Sequence, residues 1–115
     1  MPSILVKKWK DPETGLSCVI RENTMMGILL GYVGVKKNHD LHGKHYDDVS
    51  KTVEAHGGLT YSGYLENDKQ WYFGFDCGHH NDYIPGLCSG NPINYKDEDY
   101  VENQCLLLAK QIKDK

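Results

Sequence analysis

All six histidines of this chain, His39, His42, His45, His56, His79 and His80, fall in its middle, interspersed with Asp40, Asp47, Asp48, Asp76 and Asp82. Imidazole titrates near neutrality and a neighbouring carboxylate fixes its tautomer, so His beside Asp is the basic unit of general acid and base catalysis. Three segments carry these groups. The first runs from Asn38 to Asp48 and offers His39, Tyr46, Asp47 and Asp48. Its competing structural reading is that Tyr46 and Asp47 tie a loop down through side-chain to backbone hydrogen bonds. The second, His56-Gly57-Gly58-Leu59-Thr60-Tyr61-Ser62, sets two glycines after a histidine. Glycine lets backbone approach a ligand closely, with amides that bind phosphate or carboxylate oxygens. Thr60 and Ser62 share one face of the strand expected there, so their hydroxyls would line a pocket with His56. The plain alternative is a Gly-Gly turn leading into a strand. The third, Gly74 to Asp82, ends an aromatic strand in Asp76, Cys77, His79 and Asp82.

Cys77 with His79, joined by His39 or His56, has the residue types of a zinc site. The chain has no CxxC and no helical HxxxH pair, so no metal and no other cofactor is expected. Cys77 as a nucleophile with His79 as its base would require the strand to persist through both. A buried, inert thiol is the commoner fate of such a cysteine.

The elements that must position these groups are legible in outline. Ile4 to Trp9 and Leu16 to Ile20 form a hairpin about the turn Asp11 to Gly15, and a turn near Glu22 to Thr24 leads to a third strand over 27–35. Gly27, Gly31 and Gly34 mark bulges or close backbone approaches there. Residues 36–53 lack both the strand and the helix period and are expected to be an ordered loop with one short helical turn. Strand signals return at Gly58 to Ser62 and at Gln70 to Phe75, an antiparallel pair in which Trp71, Phe73 and Phe75 share the core face. Glycines and prolines make 77–94 a second long loop, the kind that carries function in a compact domain. A C-terminal helix follows: acidic residues open it, lysines close it, and Val101, Cys105, Leu108 and Ile112 form one apolar stripe. The expected fold is one α+β domain over 1–115, a mostly antiparallel sheet of four to five strands packed by the C-terminal helix.

A net charge of −3 and a pI near 6.0 argue against polymeric nucleic acid as a partner. Lys36, Lys37 and Lys44, among His39, His42 and His45, still form a patch able to meet one small anion. No apolar run is long enough to cross a bilayer, and the opening residues lack a signal-peptide pattern. A cytosolic protein with reduced cysteines is expected.

The motifs Gly31-Tyr32-Val33-Gly34-Val35, His39, Gly43, Tyr46-Asp47-Asp48, His56 to Ser62, Trp71, Gly74-Phe75-Asp76-Cys77, His79 and Asp82 resemble a family of small proteins encoded in tailed bacteriophages and prophages. Tyr95-Lys96-Asp97 and Tyr100-Val101 look similar too, so the resemblance runs from about residue 27 to the end. It singles out His39, His56 and His79, while His42, His45 and His80 stand where the pattern has other residues. Asn81 replaces a glycine of the pattern before Asp82. The resemblance implies an accessory protein acting in the bacterial host cytoplasm, with no substrate specified.

The expected function is binding of a small polar, nucleotide-derived or phosphate-bearing ligand by His39, Tyr46, His56, Gly57, Gly58, Thr60, Ser62, His79 and Asp82, which would sequester a host signal. The alternatives are a cofactor-independent hydrolase such as a phosphodiesterase and an inhibitor that binds a host protein. The hydrolase would use His39, His56 and His79 with Asp47, Asp48 or Asp76. The inhibitor would use Tyr61, Tyr64, Tyr72 or Tyr83 as anchors. A homodimer is expected on size grounds.

Overall fold

A computed structural model describes residues 3–115. Five strands, β1 (Ser3–Lys10), β2 (Ser17–Asn23), β3 (Ile28–Val35), β4 (Tyr61–Tyr64) and β5 (Trp71–Asp76), form one antiparallel sheet in the order β1-β2-β3-β5-β4. A one-turn helix α1 (Tyr46–Ser50) interrupts the β3–β4 connection, and α2 (Glu98–Ile112) follows two 3-10 turns. The α+β architecture expected from the sequence is the one observed.

The hairpin turn is built by Asp11, whose carboxylate accepts from the Glu13 and Thr14 amides and the Thr14 hydroxyl, while Gly15 takes the positive φ of 75° that closes it. Asn23 does the same at the next turn, its Oδ1 accepting from the amides of Met25 and Met26. The register of β3 with β2 and β5 is unbroken, and the register shift lies instead in β1, between Leu5 and Lys7. The β3 glycines therefore mark close approach rather than bulges: a Cβ at Gly31 would overlap the Phe75 ring, and one at Gly34 the Tyr72 ring.

Alternation sends Cys18, Ile20, Leu29, Val33, Val35, Phe73 and Phe75 to one face, where they meet the α2 stripe. Asp97 caps α2 by accepting from the Tyr100 amide, and Glu98 and Asp99 occupy the first turn, where the helix dipole favours acid. Val101, Cys105, Leu108, Ala109 and Ile112 are fully buried, and Val101, Leu108 and Ile112 each contribute about 1.5–3 kcal/mol by leaving water. On the other face Val19, Tyr32 and Tyr72 make a smaller cluster with Leu30, Tyr61 and Leu65. Tyr72 is buried and its hydroxyl donates to Asp68 at 2.6 Å, so the expectation of an exposed anchor at Tyr72 is corrected. Among the described residues no helix is long and apolar enough to cross a membrane.

Candidate functional site

The loop before β4 lies along α2. Gln111 accepts from the Glu54 amide and donates to the Glu54 carbonyl, and Gln104 accepts from the His56 amide at 3.1 Å. The His56 ring is thereby fixed between α2 and the loop after β5. Its Nε2 faces both oxygens of Asp82 at 2.9 and 2.8 Å, and its Nδ1 lies 2.9 Å from the Tyr100 hydroxyl. A carboxylate only accepts, so Nε2 carries a proton and donates to Asp82, while Nδ1 and the Tyr100 hydroxyl share the second hydrogen bond.

Asp82 is the hub. Its Oδ2 accepts from the His79 amide at 3.0 Å, closing the turn from His79 to Asp82, and Lys96 sits 3.2 Å from its Oδ1. Burial pushes this carboxyl up, but the hydrogen bonds from His56, the His79 amide and Lys96 outweigh burial and hold it below its ordinary value. The Lys96 ammonium also lies over the Tyr100 ring, 5.7 Å from its centroid. Burial raises the Tyr100 phenol, so it stays protonated near neutrality.

A second polar group adjoins the first. Asp76, at the end of β5, accepts from the Gly78 amide at 3.0 Å and from the Thr60 hydroxyl at 3.1 Å. His79 Nε2 lies 3.4 Å from Asp76 Oδ1, close enough to pair with it if the ring is protonated, and the atom is buried and makes no hydrogen bond. The His79 ring stands edge-on to His56 with centroids 5.8 Å apart. Gly57 lies under that ring, at a φ of 69° and in a place where any Cβ would overlap His79.

Thr60 and Asp76 also form the polar end of a pocket of about 430 Å³ on the sheet face away from α2. Its walls include Met26, Ile28, Leu30, Tyr32, Tyr61 and Leu65, and Tyr32 and Tyr61 meet edge to face at 5.6 Å. Among the described residues Asp76 is the one charged side chain lining it. Arg21, from the neighbouring strand, is engaged elsewhere: it pairs with Glu66 at 2.7 Å and donates to the Ser3 hydroxyl and carbonyl.

The structure thus brings together His56, Gly57, Thr60, Asp76, His79 and Asp82, and it separates the rest of the expected site. His39 Nε2 donates to the carbonyls of Ile112 and Lys113, at 2.9 and 3.1 Å, and its Nδ1 accepts from the Leu41 amide. It caps the C-terminal end of α2, whereas Tyr100 is near the start, about 18 Å away at 1.5 Å per residue. The expected three-histidine cluster is therefore a pair, and the zinc set of Cys77, His79, His39 and His56 is not assembled. Among the described residues no group of three His, Cys, Asp or Glu side chains is placed to hold a metal ion.

Tyr46, Asp47 and Asp48 begin α1. The Tyr46 amide donates to Ser62 Oγ and the Asp47 amide to His45 Nδ1, so the segment is tied down as a structural element, but by the side chains of Ser62 and His45 rather than by those of Tyr46 and Asp47. Ser62 and Thr60 accordingly do not share a pocket. The two glycines form a turn with φ of 69° and 84°, and the Gly58 amide is taken by the Ala55 carbonyl and so is not open to an anion. Cys77 is buried and its thiol is pushed up to about 12 by burial and then by Asp82 and Asp76, which argues against a nucleophile.

Sequence reasoning did not assign Lys96, Tyr100 and Gln104 to the site. The signal available was the motif Tyr95-Lys96-Asp97 followed by Tyr100, whose place at the start of α2 lets it reach back to the loops. Comparison with family models, with curated proteins and with solved structures found no match to this chain.

Proposed function

We propose that this chain is a small-molecule-binding protein whose ligand offers a flat apolar ring and several hydrogen-bond donors, the pattern of a nucleoside-derived molecule. The observation that carries this reading is the lining of the 430 Å³ pocket, an apolar and aromatic wall in which Asp76 is the one charged group among the described residues. A largely apolar cleft with a few convergent polar groups is the usual form of a ligand site. Asp76 still has lone pairs beyond those used by Thr60 and Gly78, and these suit sugar hydroxyls or ring amines. A phosphate would meet this carboxylate with no cation among the described lining residues, so phosphates of a nucleotide-derived ligand would point out of the pocket. In the phage setting that the sequence resemblance implies, such a protein would hold a host signal out of circulation.

Calorimetric titration with nucleosides, cyclic nucleotides and ADP-ribose-type molecules tests this. At least one should bind saturably, and Asp76→Asn and Leu30→Arg should each weaken it by about tenfold or more, equivalent to 1.4 kcal/mol. Silence from the whole panel, or binding indifferent to both substitutions, overturns the reading.

One observation favours a second reading, a hydrolase. His79 Nε2 makes no hydrogen bond and lies 3.4 Å from the carboxylate of Asp76, which lines the pocket, so the pair could pass a proton between them at its polar end. Mass spectrometry of the bound molecule after incubation separates the two: ligand recovered intact supports binding alone, and a cleaved product that disappears in His79→Ala supports hydrolysis.

A further inference from the structure

The basic patch around His42 is not part of the pocket beside Asp76. It lies at the far end of the β4–β5 hairpin, where Tyr64 pairs with Trp71 on the same sheet face as Ser62 and Phe73. Three rings meet there: Tyr64 stands edge-on to Trp71 at 5.2 Å, and His42 lies 5.8 Å from Tyr64 and 5.9 Å from Trp71. The Trp71 indole donates to the Lys44 carbonyl and His42 Nε2 to the Lys69 carbonyl, which bind the 36–45 loop to the hairpin. Tyr64 is nevertheless 60% exposed.

Lys37, His42, Tyr64, Asn67 and Lys69 line a groove of about 410 Å³ at this corner. Neither lysine is within ion-pair distance of a described carboxylate, although the chain carries a net charge of −3. Asp68, between Asn67 and Lys69, is occupied by Lys8 and by the Tyr72 hydroxyl. Asn67 and Lys69 both take left-handed backbone, with φ of 56° and 66°, a conformation that side-chain-bearing residues disfavour and that gathers at ligand-holding turns.

We propose that this corner is a second ligand site, one that takes a small molecule bearing a phosphate on a planar group. The two unpaired ammoniums and the Asn67 amide meet the phosphate, and the planar group stacks on the exposed Tyr64 ring. The cations exclude the opposite use of an aromatic corner, the caging of a positively charged ligand. A phosphate alone would gain little at so open a place, where water screens the charges, so the ring contact is part of the recognition.

Trp71 reports on the site directly, because Trp9 is the one other tryptophan and Trp9→Phe silences it. Titrating that variant with AMP at low salt should change the Trp71 emission saturably with a midpoint of about 1 mM or below. Adenosine and inorganic phosphate should each be about tenfold weaker. Lys37→Glu with Lys69→Glu should weaken AMP by tenfold or more, Tyr64→Ala should weaken it while leaving the circular dichroism unchanged, and Asp76→Asn should have no effect. Loss of the AMP response in Asp76→Asn would place the ligand in the other pocket and overturn the proposal. So would phosphate binding as tightly as AMP, a response retained by the charge-reversed variant, or no saturable change with AMP.

Discussion

Asp82 receives the Nε2 proton of His56 on a carboxylate that is only 2% exposed. Burial pushes that carboxyl up from 3.8, yet the bonds from His56, the His79 amide and Lys96 leave it lowered overall. A folded-state value below the unfolded one means the stabilisation is fully present above the unfolded carboxyl range and is lost as pH falls through the folded value. The protein should therefore lose stability progressively below about pH 4. Asp82→Asn should cost about 2–4 kcal/mol at pH 7, because it strips the charge from a buried, triply bonded group. It should also flatten part of the acid slope, the remainder coming from Asp68, whose carboxyl is lowered too, burial opposing and the bonds from Tyr72, Gln70 and Lys8 prevailing. Urea unfolding at pH 7, 5 and 3 measures both effects, and an unaltered acid slope in the variant would remove Asp82 as its source.

Gly57 and His79 are coupled by shape. Alanine at 57 must take a φ of 69° and place its methyl group in the imidazole. The backbone cost alone is about 1–2 kcal/mol, and the overlap should bring Gly57→Ala to about 2–4 kcal/mol. In a His79→Ala background only the backbone part should remain. A double-mutant cycle by urea denaturation reads the difference, and equal costs in the two backgrounds would show that the ring is not what keeps residue 57 a glycine.

His39 is a helix cap by geometry. Replacing it by alanine should cost about 1 kcal/mol, the usual net worth of a hydrogen bond, and should speed amide exchange in the last turn of α2. Ligand affinity should not move. A loss of binding in His39→Ala with the helix end still protected would return this residue to the site.

The strands were legible because their physics is local. Trp71, Phe73 and Phe75 alternate with residues of the other face, and the α2 stripe repeats at the helical period, so pattern alone places both in the core. Most of the site is legible for a related reason: His56 and Gly57 leave the same loop that Thr60 closes, and Asp76, His79 and Asp82 follow one strand end. Lys96 and Tyr100 were not assigned, because local spacing carries no information on which loop the start of α2 will meet. His39 shows the converse. An imidazole that caps carbonyls and one that faces a carboxylate look alike in sequence, and only the partner distinguishes them.

The cysteines give the sharpest test of chemistry against structure. All four are free; Cys18, Cys77 and Cys105 are buried, whereas Cys88 is exposed. Burial pushes the Cys18 and Cys77 thiols up to about 12 and Cys105 higher still. The thiolate is the reactive form, so near pH 8 a disulfide reagent such as DTNB should modify Cys88 at once and the other three only as the chain unfolds. The same shifts predict alkaline destabilisation. Above pH 9.0, the ordinary thiol value, the unfolded chain ionises while the folded one holds its protons, so stability falls as pH rises toward 12. Cys77→Ala should shallow that fall. If Cys77 reacted as fast as Cys88 in the native protein, its thiol would be open and ionisable, and a nucleophilic role beside His79 would have to be reconsidered.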